Sequence, residues 1–111
     1  MEDRELLELA AEAIGGEFDH GAECITIDGI KFEQWNPLED DGDALRLAVK
    51  LNLIIGPFAT YISVAETYDK PKLGAQGREF VCWHHETKGD QLAATRLAIV
   101  RAAAEIGRPT P

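Results

Sequence analysis

Apolar residues near the start of the chain recur at three- and four-residue steps, Leu6, Leu7, Ala10, Ala11 and Ile14, the spacing of one helix face. Glu5, Glu8 and Glu12 step along the opposite side. Asp3 is placed to cap this first helix and Gly15-Gly16 to end it. The period then falls to two in ECITIDGIKFEQW, where two alternating runs flank Asp28-Gly29. Asp-Gly favours a two-residue type I′ turn, which needs positive φ at both central positions. That turn sets the register: Ile27 faces Ile30 and Ile25 faces Phe32 on an apolar side, with Thr26 opposite Lys31 and Cys24 opposite Glu33 on the other.

Asn36-Pro37 breaks the pattern after Trp35, and Asp40 or Asp41 offers an N-cap to a second helix, DALRLAVKL. Leu45, Leu47, Ala48, Val49 and Leu51 give it a broad apolar face, which predicts deep burial. From Leu53 the pattern is β again: LII, an interruption at Gly56-Pro57, then FATYISVAET, and, after the polar connector YDKPKLGAQGR, EFVCWHH. Ile62 and Val64 face one way and Ala59, Tyr61 and Ala65 the other, while Phe80 and Cys82 oppose Val81 and Trp83. Asp90 caps a third helix with a stripe of Leu92, Ile99, Val100, Ala103 and Ile106 and an outer face of Arg96, Arg101 and Glu105; Gly107 and Pro109 stop it.

Strands that are apolar on both sides call for helices on both sides. The expected fold is therefore α+β, a three-layer α/β/α sandwich with the order α-ββ-α-ββ-α. Its sheet is mainly antiparallel, with four strands and a short fifth at residues 52–55. A length of 111 residues fits one domain, residues 1–111.

Charge changes the picture of partners. The net charge is -9, and residues 1–43 carry 14 of the 20 carboxylates against only Arg4 and Lys31. An acidic front half repels nucleic-acid backbones, so direct binding to DNA or RNA is not expected. A basic protein partner, or a second copy of the chain as a homodimer, suits the asymmetry better. No apolar run is long enough to cross a membrane, and MEDRELLELAAEAI is acidic where a secretory signal is basic, which points to the cytoplasm. Cys24 and Cys82 lack a CxxC spacing and read as buried free thiols.

Catalytic chemistry finds no foothold. His84-His85-Glu86 brings imidazole and carboxylate together, but adjacent strand residues point to opposite faces, so the pair cannot chelate one ion unless the strand ends there. His20 is too remote in sequence to complete such a site without a tertiary contact. The run Glu39-Asp40-Asp41-Gly42-Asp43 lacks the order of a calcium loop and suits helix capping. No nucleophile elbow or phosphate-binding glycine loop is present, and Ser63, the only serine, lies in an apolar strand. No metal, cofactor or catalytic residue is expected. Trp35, with Asn36 beside it, and Trp83, with His85 beyond it, are the candidate binding residues, because both tryptophans fall at strand ends where they can line one groove; core packing is the alternative for each.

Residues 35–51, WNPLEDDGDALRLAVKL, and 93–107, AATRLAIVRAAAEIG, resemble the two signature stretches of the phage ABA-sandwich domain family, small phage and prophage proteins named for helices on both faces of a sheet. The resemblance extends to the order of elements over most of the chain. It implies a phage or prophage accessory protein in the host cytoplasm and carries over no activity, cofactor or site residue. The expected function is accordingly non-enzymatic binding of a protein partner. A second reading is an oligomeric binder of a small anionic ligand, with Arg78, Lys88 and Arg96 around a pocket, and a third is a small enzyme using His84 and His85.

Overall fold

The computed structural model describes residues 2–66 and 78–108. Residues 68–77 of the polar connector and the stop at Pro109 lie outside the described residues. The elements are α1 (Asp3–Ala13), β1 (Gly16–Asp19), β2 (Cys24–Ile27), β3 (Ile30–Phe32), α2 (Asp41–Lys50), β4 (Ile54–Pro57), β5 (Tyr61–Ala65), β6 (Glu79–Trp83), a 3₁₀ turn (His84–Thr87) and α3 (Gln91–Gly107). The protein is α+β, with three helices and two three-stranded antiparallel sheets, β1-β2-β3 and β4-β5-β6.

Local chemistry accounts for most boundaries. Asp28 and Gly29 both have positive φ, 52° and 77°, and the hairpin pairs Ile25 with Phe32, Thr26 with Lys31 and Ile27 with Ile30, the register that a type I′ turn dictates. The Asp40 carboxylate accepts the Asp43 N–H at 2.8 Å to cap α2, and Asp90 accepts the Ala93 N–H at 3.0 Å to cap α3. Asp3 does not cap α1. It is the first helical residue, and Glu2 takes the cap position without a side-chain hydrogen bond.

The expectation of one sheet with four to five strands differs from what forms, and the reason lies in two short segments. Gly16–Asp19 contains one large apolar residue, Phe18, and so shows no alternation, yet it pairs along β2 and completes the first sheet. Gly16 does not merely follow the helix stop: a Cβ there would lie 2.9 Å from Ile27 Cγ1 and 3.0 Å from Ile25 Cδ1, so only glycine lets the strand lie this close. The second segment is Ile54–Pro57, a strand that runs through Gly56-Pro57 instead of ending before it. The Phe58 N–H donates to the Tyr61 carbonyl, and alternation then turns the backbone of residue 57 outward on the free edge. A proline there loses no ladder hydrogen bond.

The core gathers around α3, which packs against α1, α2, β5, β6 and the 3₁₀ turn. Its buried residues, Ala94, Ala98, Ile99, Val100, Ala102, Ala103 and Ala104, cover far more than one stripe because the helix has neighbours on several sides. Small side chains let them approach closely. Leu92 stays outside this set and is exposed. The broad face expected of α2 also narrows. Ala44, Leu47 and Ala48 are buried while Leu45 and Val49 face solvent.

Helical cover over the second sheet is one-sided. Its inner face, Ile62, Val64 and Cys82, belongs to the core and meets α3. On its outer face Ile54 is 57% exposed, Phe58 52% and Trp83 46%, and no helix among the described residues packs over them. The expected three-layer arrangement rested on apolar residues on both faces. Among the described residues, no helix packs on that outer face.

Candidate functional site

The four residues singled out in the sequence divide between two places. Trp35 follows the first sheet; its N–H donates to the Glu23 carbonyl at 2.9 Å and its ring, 8% exposed, lies 5.7 Å from that of Phe18. Trp83 lies in β6 of the other sheet. The two do not line a common groove: Trp35 borders a cavity of about 360 Å³ with Ile25, Ile27 and Leu47 on its walls and Arg46 and Lys50 on its rim, and Trp83 is no part of it.

Asn36 has a structural task. Its side-chain oxygen accepts the Leu38 N–H at 3.1 Å, and its own N–H donates to Asp43 Oδ2 at 3.0 Å. The buried Asp43 also receives Arg46 Nη2 at 2.7 Å, so one carboxylate ties the loop after β3 to the first turn of α2. Acidic residues at this helix start are thus caps and tethers, as the sequence suggests, and Asp41 adds a bridge to Arg96 at 2.6 Å.

Trp83 and His85 sit together on the outer face of the second sheet, in company that the sequence does not announce. The register puts Tyr61 opposite Trp83, and four rings follow one another: Phe58 stacks on Tyr61 with centroids 4.8 Å apart, Tyr61 lies 5.1 Å from Trp83, and Trp83 is parallel to His85 within 12° at 6.5 Å. Gly56 makes room at one end, since a Cβ on it would meet Phe58 Cε2 at 3.0 Å. The period-two pattern places Tyr61 on this side, while Phe58, beyond the end of β4, joins it only through the fold.

Both free edges of this sheet are blunted. On β4 the outward backbone includes Pro57, which has no N–H. On β6 the N–H of Trp83 points to the free edge, because its neighbour His84 donates inward to Thr60, and the Glu86 carboxylate accepts it at 2.8 Å. Arg101 of α3 holds Glu86 from the other side at 3.0 Å. This environment, the Trp83 N–H first and then Arg101, holds the Glu86 carboxyl below the usual glutamate range despite some burial. A group depressed in the folded state adds stability above its unfolded pKa, about 4.3, which is lost as pH falls through the folded value. Glu86→Gln, which keeps an oxygen for the Trp83 N–H and loses the charge opposite the partly exposed Arg101, is therefore expected to cost about 0.5 to 1 kcal/mol at pH 7, with the gap to wild type closing below about pH 4. Urea midpoints at the two pH values check this; a gap that persists in acid contradicts the assignment.

Among the described residues, neither the His84 nor the His85 side chain makes a hydrogen bond or an ion pair. The strand ends at Trp83 and both histidines enter the 3₁₀ turn, where His85 lies against Trp83 and His84 Nε2 is buried without a hydrogen-bond partner among the described residues. His20 packs edge-on against Phe18 in the first sheet. Among the described residues no group of three or more His, Cys, Asp or Glu side chains is positioned to hold a metal ion. Cys24 and Cys82 are both free and buried, and burial raises the Cys82 thiol above its usual pKa, the opposite of activation.

The cations of the second reading are dispersed. Arg78 chelates Glu66 at 2.9 and 3.0 Å, which holds that carboxyl below its usual range. Arg96 donates to the Leu38 carbonyl and to Asp41, and Lys88 ends the 3₁₀ turn. No helix among the described residues is long and apolar enough to cross a membrane.

Fold and site together describe an α+β protein that presents an aromatic sheet face. Comparison with known proteins adds no relative: no family model matches the chain, and no curated protein and no solved structure matches it.

Proposed function

We propose that this chain is a non-enzymatic binding module that contacts a protein partner through the outer face of β4-β5-β6. One observation carries the reading. A continuous row of rings, Phe58, Tyr61, Trp83 and His85, stands on a sheet face that no helix of the described residues covers. Isolated exposed apolar residues are ordinary, but a contiguous aromatic patch marks an interaction surface, and Trp and Tyr are the side chains that most often dominate binding energy. The raised pKa of the buried Cys82 thiol agrees with binding rather than catalysis. The likeness of residues 35–51 and 93–107 to phage ABA-sandwich domains supplies the setting in this proposal, a phage or prophage accessory protein at work in the host cytoplasm.

The anionic-ligand reading has less support, because Arg78 and Arg96 are already engaged by acidic side chains on different elements. Selection from a displayed peptide library separates the surfaces. Peptides enriched on the wild-type protein are expected to bind a Tyr61→Ala/Trp83→Ala double variant at least about 30-fold more weakly, the loss typical of two anchor residues. They are expected to bind a Phe32→Ala variant, altered at the Trp35 cavity, as they bind wild type. Equal affinity for wild type and the double variant contradicts the proposal.

A further inference from the structure

The aromatic row offers hydrogen-bond donors and almost no charge, and this narrows what it can hold. The strands β4, β5 and β6 contain one charged side chain, Glu79. It pairs with Ala65, at the opposite end of the strands from the Tyr61–Trp83 pair. Neither the Trp83 indole N–H nor the Tyr61 hydroxyl makes a hydrogen bond among the described residues. An indole nitrogen can only donate, and a phenol donates readily. The backbone, by contrast, has little to offer a ligand, since Pro57 and the Glu86 carboxylate blunt the two edges. A partner that joins by adding a strand finds no continuous ladder.

The matching ligand therefore brings carbonyl oxygens without N–H groups, carries no charge, lays apolar surface on rings and needs no strand partner. A proline-rich segment in the polyproline II conformation meets each requirement. Prolyl residues lack the N–H, their carbonyls project from a helix with no internal hydrogen bonds, and the preformed shape lowers the entropy lost on docking against aromatic grooves. Single-stranded nucleic acid also stacks on aromatic rows, but it requires cations along its backbone, and no Lys or Arg belongs to these three strands. We infer that the Phe58–Tyr61–Trp83 row docks an uncharged, proline-rich segment of a partner protein, an inference that rests on the outer face being the contact surface.

The chain has two tryptophans, so its two indole N–H resonances report on the two candidate places separately. Blocked decaproline titrated into the full-length ¹⁵N-labelled protein is expected to shift the Trp83 indole resonance saturably and leave that of Trp35 unmoved. A glycine-serine peptide of equal length is expected to shift neither. Tyr61→Phe, which keeps the ring and removes the donor, is expected to weaken decaproline about fivefold, the effect of one hydrogen bond. An unmoved Trp83 at millimolar decaproline overturns the inference, as does an equal response to the glycine-serine peptide. A shift caused by oligothymidylate and not by decaproline overturns it in favour of nucleic acid. If the Trp83 resonance moves with protein concentration alone, the occupant is a second copy; the proline inference then falls while the contact face stands. Library peptides that bind the Tyr61→Ala/Trp83→Ala variant at full strength remove both.

Discussion

Gly107→Ala is expected to lower the thermal midpoint by about 10 °C or more, the consequence of a loss near 3 kcal/mol in a domain of this size. In an exposed helix the same change would stabilise by up to about 1 kcal/mol. Here the last turn of α3 crosses α1, and a Cβ at residue 107 would fall on the Leu9 carbonyl oxygen and lie 2.9 Å from the Ala13 nitrogen. Both obstacles are backbone, so no rotamer change relieves them, and the helices must part where Ala10, Ala11, Ala103 and Ala104 are fully packed. Calorimetry decides the matter. An unchanged or raised midpoint would mean that the two helices are not in this contact.

Asp43→Ala is expected to cost about 2 to 3 kcal/mol, read as a lower urea midpoint at constant slope. The side chain is 11% exposed and answers the Asn36 N–H and the Arg46 guanidinium at once. Its removal strands a partly buried donor, which carries the desolvation cost of an unmade hydrogen bond. Asp43→Asn keeps an oxygen for Asn36 and loses only the charge opposite Arg46, so it should fall at less than half the alanine loss. Equal losses for the two variants would assign the effect to the ion pair and not to the tethered loop. The Trp35 cavity should feel the same change, because Asp43 and Arg46 both border it.

What could be read from the sequence was local. Asp28-Gly29 fixes its hairpin through two φ angles, and Asp40 and Asp90 cap their helices within three residues, so no distant contact had to be known. β1 escaped because Phe18 alone carries its apolar signal and its pairing depends on β2 beyond a turn. Pro57 looked like an interruption because edge position, which makes it harmless, is decided by strand order. Gly107 reads as a helix stop in one dimension and proves to be a crossing point in three. The largest divergence concerns the outer face of the second sheet. Period-two apolarity reports that a face avoids polar residues and cannot say what covers it. Tyr61, Val81 and Trp83 read as if a helix covers them, yet among the described residues none packs on their side of the sheet. Two strand ends in one sequence suggest one groove, but Trp35 follows the first sheet and Trp83 belongs to the second, and they lie in two separate places.

The direct test of the exposed face is the fluorescence of a Trp35→Phe variant, in which Trp83 is the only indole, measured on material that sedimentation shows to be monomeric. Emission at the long wavelength of a wet indole, free access to acrylamide, and loss of that access when a library-selected peptide is added are the predicted results. Short-wavelength emission from a quencher-protected Trp83 in the free monomer would show that the face is covered from within the chain, and the binding surface described above would not exist.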